Sequence, residues 1–458
     1  MPIYQQFIKH ILNPLDLWRS GDYAEIRYFK EFERTQFLSP DELQELAWAR
    51  LRRILDRAYR HIPYYKESFD RAGIVPSDIK TDTDMLSVPL LDKRDLQEHF
   101  DQLFDPQWSK DDLILDKTGG STGTPVNYYY SHDRKWSRQA AALRHDCWTG
   151  YDVGYRRAAL WGAARDMPPL GWKQKLKGMI FPKELMLNAA GMTPENMLQF
   201  NEQLKRWRPL IILAYASAAA VFAMFLKQNG IVPYQPKAII TSAEVLMPEY
   251  RKVINEVFEA PVFNRFGTRE FSVIASECDH HKGMHIMTEG LYVEILKDGR
   301  HAEPDEIGEV VVTDLLNDPM PLIRYRLKDT TSRIAGTCSC GRHLPRIADV
   351  AGRVTDFLVG MDGRFCVGPS LALPIVGQRP SLGQVQILQE EYGKLLYRIG
   401  GGKNRTLNQD DIDFIRQQTE AYLGKGMQID FEYVDSIPHE ASGKYIFSRS
   451  KIAQEMFQ

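Results

Sequence analysis

The feature that most constrains the fold is a regular alternation of short apolar runs and helical patterns through the middle of the chain. Two helical patterns, one ending near Gly230 and one at 248–258, separate the later runs. A strand–helix–strand rhythm of this kind predicts an α/β fold in which helices cover a mostly parallel sheet. The runs that define the rhythm occupy residues 157–161, 210–214, 238–241 and 262–263.

The longest uncharged stretch, 209–226, is part of this rhythm. It reaches the ~18 residues that a membrane span needs, but Tyr215 and Ser217 interrupt it. We therefore interpret it as a buried strand followed by a helix of small residues, and we predict no transmembrane span. The N-terminal residues lack the basic segment, apolar run and cleavage site of a secretory signal, so we expect a cytoplasmic protein.

Length and charge limit the remaining choices. A chain of 458 residues is longer than one hydrophobic core usually supports, so two or three domains are expected. The formal net charge of −2 provides no general attraction for nucleic acid, so any anion site must be local. Apolar strands on both sides of Asp298 and Gly299 predict an antiparallel β-hairpin in a second compact region.

Residues 41–61 predict an amphipathic helix with a basic outer face. Leucines and other apolar residues recur at helical spacing among several arginines. A solvated charged face is favoured over an anion-binding patch. The arginines concerned are Arg50, Arg52, Arg53, Arg57 and Arg60.

Residues 118–125 (Thr-Gly-Gly-Ser-Thr-Gly-Thr-Pro) have the composition of a phosphate-binding loop. Three glycines and four hydroxyl residues fall in these eight positions. Glycines let backbone N–H groups turn towards an anion, and hydroxyls add further donors. The spacing fits neither a Walker A loop nor the dinucleotide-binding G-x-G-x-x-G pattern. A flexible connection is the alternative interpretation.

The cysteines predict a metal site instead of disulfides. Five cysteines in a chain without a secretion signal argue against a disulfide framework. Cys338 and Cys340 lie on one short turn, and Cys278 precedes three histidines, His280, His281 and His285. Such soft ligands about sixty residues apart could form a tetrahedral structural zinc site, with reduced, unliganded thiols as the alternative.

Six segments in order resemble the adenylate-forming superfamily, which contains acyl-CoA synthetases, peptide-synthetase adenylation domains and luciferases. The nearest branch is that of phenylacetate–CoA ligase and the CapK-like capsule-biosynthesis proteins. The similarity covers about residues 40–450. The segments are 118–125, 242–244 (Ser-Ala-Glu), 264–270 (Asn-Arg-Phe-Gly-Thr-Arg-Glu), 324–329 (Arg-Tyr-Arg-Leu-Lys-Asp), 351–356 (Ala-Gly-Arg-Val-Thr-Asp) and 438–444, which ends in Ser-Gly-Lys.

The resemblance implies an AMP-forming ligase that uses ATP and magnesium. It implies that Lys444 and Glu270 are catalytic, with Glu270 holding Mg²⁺, and that Asp329 binds the ribose hydroxyls. Thr124 stands where many members carry lysine, and Phe266 replaces the more usual tyrosine. The remaining nucleotide-binding residues that it implies are Ser121, Thr122, Gly123, Ala243, Glu244, Arg265, Gly267, Thr268 and Arg353.

The resemblance also implies a domain division and a ligand set. A large N-terminal α/β domain with a β-hairpin-rich subdomain would span residues 1–355, and a small mobile α+β domain carrying the lysine would span 356–458. Members of the branch often carry a Cys/His/Cys-x-Cys set, which implies zinc bound by Cys278, His285, Cys338 and Cys340, with His281 as the alternative histidine.

The sequence leaves several alternatives for the acyl substrate, the acyl acceptor and the function. Seven aromatic residues in the segments that would line an acyl pocket indicate an aromatic carboxylic acid. The acyl acceptor is the thiol of coenzyme A in one half of the branch, and an amine or hydroxyl in polysaccharide biosynthesis is the alternative in the other. A catalytically silent nucleotide-binding scaffold and a sugar-nucleotide transferase are alternative functions. The aromatic residues are Tyr128, Tyr129, Tyr130, Trp136, Trp148, Trp161 and Tyr215.

Overall fold

A computed structural model describes most of the chain, and its contacts divide the chain into two compact units. One unit comprises Met1–Leu327 with Thr331–Asp349, and the other comprises Lys328–Thr330 with Val350–Gln458. The predicted boundary at residue 355 stays a prediction. The described residues are 3–117, 126–161, 184–189, 192, 194–350, 352–353, 357–361, 365–403, 406–438 and 446–456.

Helices are most frequent in the N-terminal part of the chain. A π-helical turn, Ile8–Leu12, joins the first two helices. The α-helices are α1 (Ile3–Phe7), α2 (Asn13–Ser20), α3 (Ala24–Thr35), α4 (Pro40–His61), α5 (Pro63–Ala72), α6 (Asp82–Met85), α7 (Lys93–Glu98), α8 (His132–Trp148), α9 (Pro194–Trp207), α10 (Ala216–Gln228), α11 (Pro248–Phe258), α12 (Gly368–Gln378), α13 (Gln409–Leu423) and α14 (Lys451–Met456).

Strands begin where the helical N-terminal part ends. They are β1 (Ile114–Lys117), β2 (Asn127–Tyr130), β3 (Arg157–Trp161), β4 (Glu184–Asn188), β5 (Ile211–Tyr215), β6 (Ala238–Ser242), β7 (Val262–Thr268), β8 (Ser272–Glu277), β9 (Met284–Ile286), β10 (Leu291–Lys297), β11 (Arg300–His301), β12 (Gly308–Asp314), β13 (Tyr325–Thr331), β14 (Arg333–Ile334), β15 (Arg346–Ile347), β16 (Gly352–Arg353), β17 (Phe357–Val359), β18 (Phe365–Val367), β19 (Val385–Gln389), β20 (Lys394–Ile399), β21 (Gln428–Tyr433) and β22 (Ser448–Ser450).

The largest sheet confirms the predicted α/β fold. Its strand order is β14-β15-β9-β8-β7-β6-β5-β3-β4, and the neighbours from β4 to β7 are all parallel. All five residues of β6 are buried, which is the pattern of a parallel strand whose two faces are both covered. Helix α10 follows β5 directly and buries small residues such as Ala219 and Ala223, so 209–226 is the predicted strand and helix. Within the described ranges, no helix combines the length and the apolar character that crossing a membrane requires.

The predicted hairpin exists, but its turn makes a different connection. Strands β10 and β12 pair antiparallel with Leu291 opposite Asp314. The turn at Asp298 and Gly299 leads from β10 into the short strand β11, which pairs on the opposite side of β10. Both turn residues have positive φ, 49° and 74°, as a tight two-residue hairpin requires.

The prediction of a solvated basic face on α4 holds only in part. Arg52 and Arg60 are exposed, and Arg60 pairs with Asp56 on the same helix, but the other three arginines form ion pairs with side chains from other parts of the first unit. Arg53 Nη1 lies 2.7 Å from Asp318 Oδ1 and Arg57 Nη2 lies 2.5 Å from Asp105 Oδ2, while Arg50 pairs with Glu31. Part of the basic face therefore connects α4 to its neighbours, because these three side chains reach acids that the chain brings from elsewhere.

The second unit has a separate apolar core. Its four-stranded sheet has the order β21-β20-β19-β22 and mixes parallel with antiparallel pairs. Leu371 of α12, Ile387 of β19, Tyr397 of β20 and Ile415 of α13 are all fully buried in one cluster. A mixed sheet with packed helices agrees with the predicted small α+β domain.

Candidate nucleotide site and metal centre

The parallel strands bring their carboxyl ends to one edge of the large sheet. Trp161 ends β3 and Tyr215 ends β5, and their rings are tilted by 41° to each other with centroids 4.3 Å apart. Ala243 and Glu244 follow β6, and Thr268 ends β7. Ligands of open α/β sheets bind outside the carboxyl ends of the strands. Two of the segments that the resemblance singles out, 242–244 and 264–270, therefore lie near, or end at, the edge where a ligand is expected.

Glu244 connects the residues after β6 to the helix that follows β5. Its Oε2 accepts a hydrogen bond of 2.8 Å from the backbone N–H of Ser217, in the first turn of α10. Ala243 before it has φ of 68°, an uncommon conformation for a residue with a side chain. A carboxylate at a helix N-terminus is favourable because unpaired N–H groups and the helix dipole point towards it. Glu244 thus holds the residues after β6 against the start of α10.

The end of β7 forms a tight turn that carries Glu270. The pairing of β7 with β8 shifts register between Phe266 and Gly267. A Cβ atom at Gly267 would lie 2.2 Å from the carbonyl oxygen of Ser272, so only glycine fits there. Thr268 Oγ1 accepts a hydrogen bond of 3.3 Å from the backbone N–H of Phe271. The turn therefore has a defined shape, with Glu270 half-buried.

Strands β1 and β2 flank the predicted phosphate-binding loop in the sequence, and β2 contacts the same turn. They pair antiparallel up to Lys117 and Asn127, which flank the loop. Tyr128 Oη lies 2.7 Å from the carbonyl oxygen of Arg269 and 3.0 Å from Asp116 Oδ2. Burial raises the pKa of Tyr128, so this hydroxyl keeps its proton. The predicted contacts Ser121, Thr122, Gly123 and Thr124 lie outside the described residues.

Arg138 of α8 also contacts this turn, and the sequence analysis missed it. Its guanidinium donates a hydrogen bond to the carbonyl oxygen of Glu270 and lies over the ring of Tyr130, 4.4 Å from the centroid. One helical turn earlier, Arg134 donates to the carbonyl oxygen of Phe271 at 3.2 Å and pairs with Asp314 at 2.6 Å. The i, i+4 spacing of the two arginines is visible in the sequence, but their targets are not.

Arg265, which the resemblance assigns to the nucleotide, forms a buried ion pair. Its side chain is buried, and Nη2 lies 2.5 Å from Asp146 Oδ1. The second carboxylate oxygen of Asp146 accepts from Arg157 at 2.8 Å. Asp146 thus connects α8 to β3 and β7, and Arg265 completes that connection. Its predicted role at the nucleotide stays a prediction.

The structure brings Asp329 and Arg353 together. Their Cα atoms are direct partners in the antiparallel pairing of β13 with β16, although 24 positions separate them in the chain. Asp329 is buried. The side chain of Arg353 and the whole of Lys444 lie outside the described part of the chain, and their roles stay predictions.

The predicted metal ligands form a compact cluster. The ligand atoms of Cys278, His285, Cys338 and Cys340 all lie within 4.8 Å of one another. Cys278 Sγ is 3.8 Å from Cys338 Sγ, and Cys340 Sγ is 3.4 Å from His285 Nε2. His285 lies on β9, and the pairing of β9 with β15 places the loop of the two later cysteines beside it. Tertiary pairing therefore joins ligands about sixty positions apart.

His285 is oriented as a ligand, whereas His281 is occupied elsewhere. His285 Nδ1 lies 3.0 Å from the carbonyl oxygen of Leu344, an arrangement that directs the other nitrogen, Nε2, towards the thiols. Burial lowers the pKa of His285 to about 4, so the ring is neutral, as a ligand must be. His281 Nδ1 instead lies 3.2 Å from Glu277 Oε2. The cluster therefore contains the implied histidine and not its alternative.

The thiols differ from one another in acidity. Burial raises the pKa of Cys278 to about 12. Burial also acts to raise the pKa of Cys338, but hydrogen bonds from the Cys340 backbone and from the neighbouring thiols outweigh it, and that pKa lies below the ordinary value. A cation would stabilise all the thiolates in such a cluster.

Comparisons with known proteins agree with this geometry. The family described as the CapK C-terminal domain matches residues 358–451. The chain is 25% identical over 343 residues to phenylacetate-coenzyme A ligase of Thermus thermophilus, covering 70% of this chain and 73% of that protein. It is 26% identical over 344 residues to phenylacetate-coenzyme A ligase of Escherichia coli, with the same coverage of 70% and 73%.

Solved structures match over nearly the whole chain. The crystal structure of 2-hydroxyisobutyryl-CoA ligase in the postadenylation state, in complex with R3-HIB-AMP, has a TM-score of 0.71 at 19% identity and covers 93% of this chain and 92% of that one. The same ligase with 2-HIB-AMP and CoA in the thioesterification state has a TM-score of 0.60 at 18% identity, with 92% and 93% covered. The predicted resemblance to adenylate-forming proteins of the phenylacetate–CoA ligase and CapK-like branch is confirmed.

Proposed function

We propose that this chain, an adenylate-forming protein of the phenylacetate–CoA ligase and CapK-like branch, is an AMP-forming carboxylate ligase. A carboxylate oxygen would attack the α-phosphorus of ATP, forming the acyl-adenylate as the bond to pyrophosphate breaks. A nucleophile would then attack the acyl carbon and release AMP. Negative charge develops on the phosphates in the first step, so catalysis consists mainly of positioning and charge stabilisation.

The contact of Tyr128 with the carbonyl oxygen of Arg269 supports this proposal most directly. Through it, the base of the β1–β2 hairpin, from which the predicted phosphate-binding loop extends, lies against the turn that bears Glu270. Tyr128 and Arg269, 141 positions apart in the chain, thus meet near the edge of the sheet where a nucleotide would bind.

Glu270 is the residue we assign to Mg²⁺. A carboxylate oxygen is a ligand that magnesium prefers, and magnesium is usually held by one or two carboxylates together with phosphate oxygens. Among the described residues, no ion pair engages the Glu270 carboxylate, and its backbone carbonyl is held by Arg138. The donor type and the fixed turn therefore fit the ion. When bound, Mg²⁺ would neutralise charge on the phosphates.

The acyl substrate is inferred from the same edge of the sheet, and its acceptor from the relatives. The adjacent rings of Trp161 and Tyr215 at the ends of β3 and β5 favour an aromatic or other apolar acid. We assign coenzyme A as the acceptor because the relatives and solved structures are CoA ligases. An amine or hydroxyl acceptor is the alternative that the CapK C-terminal match supports.

We also assign one structural zinc ion to Cys278, His285, Cys338 and Cys340. Three thiolates and one imidazole are a donor set of structural zinc sites, and four protein ligands leave no open position for catalysis. The ion would join β9 to the loop before β15. Elemental analysis of protein purified without a metal-affinity tag should find about one zinc per chain.

Substrate-dependent ATP–pyrophosphate exchange tests the proposed activity. A panel of aromatic and aliphatic acids should support exchange for at least one acid, and adding coenzyme A should then consume its thiol. Glu270→Gln should lower exchange about 10²-fold, the scale for loss of one preorganised charge contact. Glu45→Gln changes an exposed glutamate of α4 in the same way and should leave exchange unchanged. ATP binding without exchange for any acid would instead assign the scaffold function, and preferential binding of a sugar nucleotide would assign the transferase.

A further inference from the structure

The first described residues form one long helical stretch with an unusual surface. Helix α1, the π-helical turn and α2 follow one another without interruption from residue 3 to residue 20, because the residues at both junctions, Phe7 and Asn13, have right-handed helical backbone angles. The stretch ends at Gly21, whose φ is 77°. It is 18 residues long, which corresponds to about 27 Å.

Large apolar side chains occupy the solvent-facing side of this stretch. Ile3 is 90% exposed, Phe7 45%, Ile11 47%, Leu15 52% and Trp18 70%. The first four follow one another at intervals of four residues, and Trp18 lies three residues after Leu15. All five therefore lie on one side of the helix. Helices on the surface of a globular protein normally bury their apolar stripe. We call these five residues the apolar stripe.

Polar contacts hold the opposite side of the helix to the body of the first unit. Lys9 Nζ lies 2.5 Å from Asp152 Oδ2. The backbone of Gln5 approaches Gly154 so closely that a Cβ there would lie 2.7 Å from the Gln5 carbonyl oxygen. After the helix, Asp22 accepts hydrogen bonds of 2.7 Å from both Lys135 and Trp136. The opposite side of the helix therefore contacts the body of the first unit, and the stripe is exposed although the helix is packed against that unit.

The exposed charged residues of this stretch and of the following helix α3 are basic. One of them, Arg27, lies 3.4 Å from Asp133 on α8. From residue 3 to residue 35, every exposed residue with a formal charge is basic, whereas the acidic residues are all half-buried. Two of those acids are neutralised internally, since Asp22 pairs with Lys135 and Glu31 pairs with Arg50. The exposed basic residues are Arg19, Arg27, Lys30 and Arg34.

We propose that residues 3–20 bind the surface of an anionic phospholipid bilayer, with the apolar stripe inserted among the acyl chains near the headgroups. A helix with an apolar side and basic flanking residues lies in the plane of a membrane interface, and aromatic residues such as Trp18 are favoured at that depth. Anionic lipids complement the exposed basic residues, and each such residue adds to binding near the surface. This inference does not depend on the proposed ligase activity.

A second copy of the chain fits this surface less well. In a two-fold dimer the same patch of both copies would meet. The two copies would then bring their exposed basic residues towards one another, and like charges in proximity are unfavourable. The charge pattern therefore favours lipid as the occupant.

Vesicle co-sedimentation of the full-length protein tests the proposal. Wild-type protein should sediment with phosphatidylcholine vesicles that contain phosphatidylglycerol, sediment much less with pure phosphatidylcholine, and dissociate from the anionic vesicles as salt is added. Phe7→Ser and Trp18→Ser should each weaken binding about tenfold or more, since each removes a large inserted side chain. Arg19→Gln should weaken binding to anionic vesicles less than either of these.

Val232→Ser is the matched control, because Val232 is 71% exposed but lies outside the stripe. It should leave vesicle binding unchanged, and thermal unfolding of all four variants should match that of the wild type. Absence of wild-type binding at low salt, or equal binding by Trp18→Ser, would overturn the proposal. So would a concentration-dependent dimer in light scattering that Phe7→Ser abolishes, since the stripe would then be an interface between copies.

Discussion

Arg138→Gln should weaken binding of Mg·ATP more than it weakens the fold. The guanidinium donates to the carbonyl oxygen of Glu270 and lies over the rings of Tyr130 and Tyr128, 4.4 Å and 5.7 Å from their centroids. A hydrogen bond from a charged donor contributes about 1.5–3 kcal/mol, and a cation–π contact at a partly exposed site about 0.5–1 kcal/mol. Because Arg138 is only half-buried, we take the lower end, about 2 kcal/mol.

That energy holds the turn bearing Glu270 in one shape. If the turn must be ordered when Mg·ATP binds, losing about 2 kcal/mol corresponds to a roughly 30-fold higher KM for Mg·ATP in the exchange assay. Glutamine keeps part of the length but loses the charge and the planar group. Lysine keeps the charge, so Arg138→Lys should recover part of the loss through its contact with the tyrosine rings.

A change in the KM for Mg·ATP alone distinguishes a role of Arg138 in binding Mg·ATP from a purely structural role. KM for Mg·ATP should rise while KM for the acid and the melting temperature change little. Arg71→Gln is the control, because it removes an exposed arginine that pairs with Glu67 on its own helix, and it should change neither constant. An unchanged KM for Mg·ATP in Arg138→Gln, or an equal fall in the rate for all substrates with loss of stability, would refute the reasoning.

Three further predictions concern other parts of the chain. Lys444→Ala should lower ATP–pyrophosphate exchange about 10²-fold or more, while transfer from a supplied acyl-adenylate survives; equal losses in both half-reactions would argue against a role in adenylation. Cys340→Ser should remove the bound metal and lower the melting temperature, as measured by elemental analysis and calorimetry, whereas metal-free protein of unchanged stability would exclude a structural ion. Arg144→Met should cost about 3–5 kcal/mol in denaturant unfolding, because it removes the ion-pair partner of the fully buried carboxylate of Glu289, which, among the described residues, then keeps only neutral donors such as Thr35; a loss below about 1 kcal/mol would contradict this.

Secondary structure in the core could be predicted because it depends on local patterns. The apolar run 157–161 is β3, and the helical pattern at 248–258 is α11, with the predicted bounds. Both signals repeat within a few residues: uninterrupted apolar runs mark strands covered on both faces, and proline at the first turn marks a helix start. The Cys/His cluster was also predictable in part, since closely spaced soft ligands indicate a metal site whatever the fold.

Side-chain partners were decided by the tertiary structure. The sequence alone left His281 and His285 as alternatives, and the pairing of β9 with β15 selects His285. It also predicted a solvated basic face on α4, yet the fold brings acids to several of those arginines. Arg138 and the turn at Glu270 are 132 positions apart, and nothing local links them. The sequence determines which segments are strands and helices because that information lies in neighbouring residues. Which charged side chains pair depends on how distant elements pack, and that packing exists only in the folded chain.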